Sequence, residues 1–432
     1  ARGSPWPPPP GWPPSSPPPP PADPEAAVLH VEQTADHCIK CNVCNTVCPV
    51  SAVTDLFPGP KYEGPQGQRF RAGIDTGSSP DKSLDYCSAC GLCTQACPEG
   101  VLVAEINQIA RSRLVTERGG LNLRDQIISR PSLMGAMARP VAPIANAVMA
   151  ARPVRVLVEK AMGVHRGAAM PKFSAMTLRS WARSHRAPAG TTRTVAYFHG
   201  CAAQEFEPEV GAAVVRVLER NGTRVTFPKQ GCCGLPLVSN GDFDTGRRYA
   251  SRLVRHLRGA ADDPGVIVAS STSCGMTLKA KYRELLGLDD PDTRAVSQAV
   301  YDICEYLVGL DDEGALNRSL APIRARALYH PPCQLMAHGV GLPALDLLAL
   351  VPGLEIERSR GGCCGTAGTY GVKVEKYQIA MDVGETLFDQ VAESKPDFIV
   401  CDSETCRWHI AKSTGLPVYH PVQVLDRAYA TA

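Results

Sequence analysis

From about residue 192 onward, apolar and polar positions follow two alternating rules, and the whole pattern occurs twice. "TVAYFHGC" is a short apolar run that predicts a buried strand ending at Cys201. "EPEVGAAVVRVLERNG" spaces its apolar residues as a helix and stops on glycine, and "TRVTFP" predicts the next strand. "KQGCCG", an arginine-rich helix and the strand "GVIVASSTSC" complete the first copy. The second copy runs "RALYHPPC", "LPALDLLALVPG", "LEIERS", "RGGCCG", a long helix through "KYQIAMDVGETLFDQVAES", "PDFIVCDSETC" and "LPVYHP". Strands alternating with helices at this spacing predict parallel α/β units. In both copies the cysteines fall just beyond the strands, the edge where open α/β sheets place their sites.

Ahead of the repeat, "PIANAVMAARPVRVLVEKAMGVH" places Ile144, Val148, Val154, Val158 and Met162 near a helical period, with Pro153 restarting the helix. Residues 131–186 hold six of the nine methionines, nine Lys/Arg and one acidic residue, Glu159. Such a stretch is either a pair of core-packing helices or a basic amphipathic surface, ending at Trp181, that docks on anionic lipid or on a partner. Residues 1–24 are mostly proline, which suits an extended segment and builds no core.

The division expected from these patterns is a proline-rich tail at 1–25, a cysteine-dense module at 26–118 and a basic methionine-rich connector at 119–190. The repeats follow at 191–320 and 321–432. The fold class is α+β and α/β, a small helical module followed by two parallel α/β units. Net charge is +2 with 20% charged residues, so nothing global points to nucleic acid. The N-terminal stretch shows no apolar core after its basic residue, so no secretory signal is expected and disulfides should be rare. No window reaches about 18 consecutive apolar residues, which argues against a spanning helix.

Eighteen cysteines in clusters ask for metal. Cys38, Cys41, Cys44 and Cys48 follow C-x2-C-x2-C-x3-C-P, and Cys87, Cys90, Cys93 and Cys97 repeat it, with Pro49 and Pro98 in place. A Gly/Pro-rich insert, "FPGPKYEGPQGQRFRAG", separates the copies. Zinc wants two cysteine pairs, whereas here a third cysteine and a fourth before proline recur twice, which favours iron-sulfur. In the repeat, Cys232-Cys233 and Cys363-Cys364 each have a cysteine upstream, Cys201 or Cys333, and one downstream, Cys274 or Cys406. Adjacent cysteines serve one centre only if the chain turns sharply, which Gly231, Gly234, Gly362 and Gly365 allow. Thiolates are soft ligands, so iron-sulfur or zinc are the sensible guests.

The second copy has an extra thiol, Cys401, where the first has Ala269, and is expected to be the better-equipped site. The first is then a degenerate cluster, a zinc site or a thiol nest. Lys229, Arg358 and Arg360 precede the cysteine pairs and could offset thiolate charge. Cys304 reads as a packing cysteine, and His199 and His330 as neighbours of each site. No G-x-G-x-x-G after a strand, P-loop or G-x-S-x-G elbow is present, so a flavin must come from a partner.

The cysteine-dense module resembles bacterial dicluster ferredoxins, in which the fourth cysteine of each run crosses to the other cluster. That resemblance implies one [4Fe-4S] cluster on Cys38, Cys41, Cys44 and Cys97, and another on Cys87, Cys90, Cys93 and Cys48. With the two CCG repeats the chain is similar to the family that includes heterodisulfide reductase and glycolate oxidase iron-sulfur subunits. "FPGPKYEGPQGQRFR", "LDYCSACGLCTQACPEGV", "PVRVLVEKAMGVHR", "KQGCCGLPL", "STSCGMTLK" and "CDSETCRWHI" look most like its glycerol-3-phosphate dehydrogenase branch. The resemblance implies an oxidoreductase subunit that takes electrons from a flavin-containing dehydrogenase partner oxidising sn-glycerol 3-phosphate and passes them towards membrane quinone. It places the chain in the cytoplasm, peripheral on the inner face of the membrane, with no dehydrogenation by this chain alone.

Heterodisulfide reductase relatives hold noncubane [4Fe-4S] clusters on their CCG cysteines, which implies a third cluster on Cys333, Cys363, Cys364, Cys401 and Cys406. Cys201, Cys232, Cys233 and Cys274 form the weaker set, with zinc the alternative there. The repeats depart from the relatives' C-x2-C ending, with Ser271 in "STSC" and C-x4-C in "CDSETC", which bears on the noncubane assignment. The rival readings are a wire for a glycolate or 2-hydroxyacid oxidase, a heterodisulfide-reductase-like subunit, and a non-catalytic iron-sulfur scaffold or sensor.

Overall fold

The computed structural model describes residues 24–73 and 82–430, so most of the proline-rich tail lies outside the described residues. The repeat is present as two four-stranded parallel sheets of one topology. The first comprises β1 (Arg193–Phe198), β2 (Thr223–Thr226), β3 (Ile267–Ala269) and β4 (Val300–Asp302) in the order β2-β1-β3-β4. The second comprises β5 (Ala325–Tyr329), β6 (Leu354–Arg358), β7 (Phe398–Val400) and β8 (Val418–Tyr419) in the order β6-β5-β7-β8. The sequence pattern does not mark β4, because "VYD" is too short to show a period; it is a strand because it pairs with β3.

Register aligns the copies residue by residue. Tyr197 pairs with Val268 and Tyr329 with Val400, so Ala269 and Cys401 hold the same position. Each tyrosine hydroxyl meets the residue after that position, Ser270 Oγ at 2.7 Å and Asp402 Oδ2 at 2.8 Å.

The two-residue period of β1 divides the core. Val195 and Tyr197 join Ala327, Tyr329 and Val400 of the second sheet in one apolar cluster, while Ala196 and Phe198 face the opposite way. On that other side lie Leu253 and Leu257 of the Phe243–Asp262 helix, together with Leu102, Val103, Ile106 and Ile109. The last three sit on the Val103–Glu117 helix of the cysteine-dense module. The module is therefore packed into the first repeat. Its Gly/Pro-rich insert is no bare separator either. It folds into the helical turns Tyr62–Gln66 and Gly67–Ala72, and a Cβ on Gly64 would stand 2.8 Å from Val103 Cγ1.

The connector forms helices Pro131–Ala138, Ala142–Ala150 and Arg152–Met162, each with proline in its first turn, where a missing N–H leaves no bond unmade. Pro131–Ala150 is long and apolar enough to cross a membrane by length and composition, with 11% of that window buried, and the 3-10 turn Arg139–Val141 interrupts it. Leu133, Met137, Val141, Ile144 and Val148 are exposed at helical spacing, and Leu157 is exposed as well. The nine cations are not one surface. Arg155 is buried and donates to the carbonyls of Arg166 at 3.0 Å and His165 at 3.1 Å. Arg166 pairs with Glu159 at 2.7 Å and Arg139 with Glu205 at 2.6 Å. Arg152, Lys160, Lys172, Arg183 and Arg186 are exposed.

Candidate iron-sulfur sites

The two C-x2-C-x2-C loops share one backbone. Lys40 (φ 62°) and Asn42 (φ 74°) in the first correspond to Ala89 (φ 56°) and Gly91 (φ 87°) in the second. Left-handed residues at these points wrap three cysteines inward, and residues other than glycine hold that conformation only under strain from the surrounding fold. The fourth cysteines cross. Cys38, Cys41, Cys44 and Cys97 line one cavity of about 20 Å3. Cys48 packs with Cys87, and the thiols around Cys93 are Cys90, Cys87 and Cys48. Each crossing thiol accepts a backbone N–H, from Val101 to Cys97 Sγ at 3.3 Å and from Ser51 to Cys48 Sγ at 3.5 Å. Exposure separates the quartets: Cys41 is exposed, whereas Cys48, Cys87, Cys90 and Cys93 are all buried. Burial pushes the Cys90 thiol up to about 12.

The CCG cysteines meet in one place. Cys201, Cys232, Cys233 and Cys274 of the first repeat and Cys333, Cys363, Cys364 and Cys406 of the second line a single cavity of about 180 Å3, and Cys90 lines it too. Gly234 (φ 83°) and Gly365 (φ 89°) turn the chain after each pair, and a Cβ on Gly365 would lie 1.8 Å from Ala380 O. Gly231 and Gly362 face open space, so the second glycine of each motif makes the turn. The first thiol of each pair accepts that glycine's N–H, Gly234 to Cys232 Sγ at 3.4 Å and Gly365 to Cys363 Sγ at 3.3 Å. Hydrogen bonds from Cys201 and Cys333 hold the Cys232 and Cys363 thiols well below their ordinary pKa.

Cys401 is placed differently. It is fully buried with Leu387, Ile399 and Ile410, touches Cys406, and is not among the cavity-lining residues. Four thiols of each repeat therefore face the cavity. Ser271, at the departure from C-x2-C, caps the Thr272–Met276 helix through Cys274 N at 3.4 Å and donates to Glu404 Oε1 of the other repeat at 3.3 Å. His199 and His330 are buried and bond Gly200 O and Ser359 Oγ, each at 2.8 Å, outside the cavity lining. Lys229, Arg358 and Arg360 do not line it either, and Arg360 pairs with Glu393. Met134, Met170, Phe206 and Trp408 do, and of these only the methionines lie in a segment that its composition singles out.

Two buried cations also carry no mark in the sequence. Arg111 Nη2 donates to Leu84 O at 2.6 Å and to Cys87 O, and its Nη1 to Ser239 O at 2.8 Å. Lys376, from the second repeat's Val374–Ser394 helix, donates to Asp85 O and lies 4.8 Å from the Tyr370 ring centroid. Neither is in an ion pair among the described residues. Burial first, then Lys373 and Arg111, hold the Lys376 ammonium well below its usual pKa. A lysine on an amphipathic helix ordinarily reads as solvent-facing, which is why Lys376 does not stand out.

The donor sets can be tested against a single ion. Among the described residues, the one set of three or more such side chains whose ligand atoms all lie within 4.8 Å of one another is Asp302, Cys304 and Asp402. Zn–S bonds of about 2.3 Å in a tetrahedron bring four thiols within roughly 4 Å of one another. No cysteine quartet has three thiols all within 4.8 Å of one another, although Cys233 and Cys274 Sγ stand 3.3 Å apart, and all-cysteine sets of this kind are the donor chemistry of iron-sulfur groups. Buried Arg111 and Lys376 beside Cys87, neither in an ion pair among the described residues, likewise fit an anionic guest.

Known proteins agree with this donor chemistry. A 4Fe-4S dicluster domain model matches residues 34–101, and a cysteine-rich CCG domain model matches residues 195–279 and 327–411. The chain is 39% identical over 398 residues to the C-type subunit of anaerobic glycerol-3-phosphate dehydrogenase from Escherichia coli K12, covering 91% of this chain and 98% of that one. The chain belongs to the family of that anaerobic glycerol-3-phosphate dehydrogenase subunit. Outside this family, it is 30% identical over 246 residues to the B-type subunit of fumarate reductase (CoM/CoB) from Methanothermobacter marburgensis, covering 55% of this chain and 46% of that one. Lactate utilization protein A of Macrococcus caseolyticus is 27% identical over 248 residues, covering 54% of this chain and 96% of that one.

Proposed function

We propose that the chain is the iron-sulfur electron-transfer subunit of a glycerol-3-phosphate dehydrogenase, taking electrons from a flavin-containing subunit and delivering them towards membrane quinone. Membership of the dehydrogenase subunit family supports the first part. The observation that carries the rest is the continuity of thiols from surface to interior. In the first quartet Cys41 is exposed and Cys38 and Cys97 are half-buried, Cys48, Cys87, Cys90 and Cys93 are all buried, and Cys90 also lines the cavity that both CCG quartets share. A [4Fe-4S] group held by such a quartet supplies reversible one-electron uptake without bond chemistry.

The residues around each quartet suit the ends of such a path. Exposed Ile39, Val43 and Val47, on the segment that carries Cys41, offer apolar side chains to the flavin-containing subunit. At the other end Met134 lines the cavity, while Leu133 and Met137 of the same helix face solvent. That helix, with Arg152 and Lys160, gives a basic apolar surface suited to an anionic bilayer, from which a lipid-soluble acceptor reaches the cavity side. The equal thiol quartets favour the same class of group in both CCG repeats over zinc in the first.

Stopped-flow mixing of the loaded chain with its reduced dehydrogenase partner tests the reading. Iron-sulfur absorbance should bleach on the turnover timescale with sn-glycerol 3-phosphate; absorbance unchanged over turnover would overturn it.

A further inference from the structure

The two ferredoxin-like quartets sit in opposite electrostatic surroundings. Around Cys38, Cys41, Cys44 and Cys97 the charged lining residues are Lys61 and the exposed Glu99, one of each sign beside solvent. On the Cys87 side of the second quartet the balance is positive, whereas the buried Glu105 acts on Cys93 at the other side. Arg111 places its guanidinium on the carbonyls of Leu84 and Cys87, and Lys376 places its ammonium on Asp85 O and over the rings of Tyr86 and Tyr370. Tyr370 packs directly on Cys48 and Cys87. The carboxylates and other cations nearby are otherwise engaged: Asp85 pairs with Arg118 at 2.9 Å, Asp125 with Lys373 at 3.0 Å and Glu375 with Arg124 at 2.7 Å. Lys281, on the Cys90 side, has Glu105 and Glu284 beside it and adds no surplus.

We propose that Lys376 and Arg111 make the buried quartet's iron-sulfur group the higher-potential one, so that electrons arriving at the exposed quartet move inward; Lys376 is the positioning residue by which the second repeat sets this direction. The inference rests on the reading above that both quartets hold [4Fe-4S] groups. Reduction adds one electron and changes no bond, so the reduced state is the more negative one. Burial alone disfavours that state and would give the inner group the lower potential. Two buried cations act against this in the same low-dielectric surroundings, where their attraction is least screened, and no carboxylate is paired with them. Near the outer group, solvent screens every charge. An anion seated among Cys48, Cys87, Cys90 and Cys93 also gives the paired partner that a buried lysine requires.

The test uses the full chain, purified without oxygen and carrying its iron-sulfur groups, titrated with dithionite and followed by electron paramagnetic resonance. A soluble dysprosium chelate broadens the outer quartet's signal and so identifies it, and loss in Cys93→Ser identifies the inner quartet's signal apart from any signal of the CCG cavity. The inner quartet's signal should appear before the broadened one as the potential falls. Lys376→Met should lower that signal's reduction equilibrium at least tenfold, 59 mV for a one-electron couple, and leave the broadened signal in place. Lys376→Gln serves in the same way where the methionine variant loses iron. The broadened signal appearing first in the unaltered chain would overturn the proposal, as would an unchanged gap in a Lys376 variant with full iron. Absence of two cubane signals would instead remove the underlying reading.

Discussion

Cys48 and Cys97 each stand in one cysteine run and reach the other, so single substitutions distinguish a crossed dicluster from two independent sites. Cys38→Ser and Cys97→Ser should each abolish the same cubane signal and about four irons, while Cys48→Ser abolishes the other signal. Iron analysis with electron paramagnetic resonance reads this directly; loss of one signal in both Cys38→Ser and Cys48→Ser, with Cys97→Ser affecting the other, would refute the crossing. At the CCG turns a second contrast applies. Gly365 combines a φ of 89° with a backbone carbonyl 1.8 Å from where a Cβ would stand, and no side-chain rotation relieves that clash. Gly365→Ala should cost more than about 3 kcal/mol or prevent folding, whereas Gly362→Ala, in open space, should stay within about 0.5 kcal/mol. Denaturant midpoints of the two variants measure the difference. The paired glycines look alike in "GGCCG", and only the positive φ and the approach of Ala380 tell them apart.

Among the elements, the connector is the most ambiguous stretch in the sequence and the most informative in the fold. Its helical period and the restart at Pro153 are readable, because proline in a first turn leaves a sequence mark. Which side faces out is not, since exposed Leu133, Met137, Val141, Ile144 and Val148 have the same period as a buried stripe. Arg155 likewise counts as a surface cation in any sequence reading, yet it holds the carbonyls of the loop that follows its helix. Met137→Glu with Ile144→Glu should weaken binding to anionic liposomes by about a hundredfold or more, because each exposed side chain that enters the bilayer contributes roughly 1.5–3 kcal/mol. Arg152→Gln with Lys160→Gln should weaken it by about thirtyfold, at about 1 kcal/mol per cation, and added salt should reproduce the loss. Co-sedimentation measures both, and binding that ignores both substitutions and salt would exclude this surface. Arg155→Gln should lower stability, because three carbonyls lose their donor.

Across the whole molecule, spacing alone groups the ferredoxin cysteines, since the local wrap of a C-x2-C-x2-C loop depends on few residues. The meeting of the CCG quartets at one cavity, with Cys90 beside them, is not legible in the sequence, because it depends on how three separate stretches pack. Cys401 shows the limit most plainly. As an extra thiol in the second copy it suggests unequal sites; in the fold it is fully buried in contact with Cys406, while four thiols of each repeat line the cavity. Equal donor sets, equal Gly N–H to sulfur bonds and the same turn geometry lead to one expectation for metal content. Anaerobically purified protein should contain about sixteen irons per chain, eight in the two cubanes and four in each CCG repeat, with zinc well below one. About twelve irons would mean that one repeat alone is loaded, and a whole zinc with about twelve would assign the ion to the other. Cys401→Ser then separates the roles of the fifth thiol: with no place on the cavity wall, its loss should leave the iron count unchanged. A loss of about four irons would make Cys401 a ligand after all and restore the inequality between the two copies.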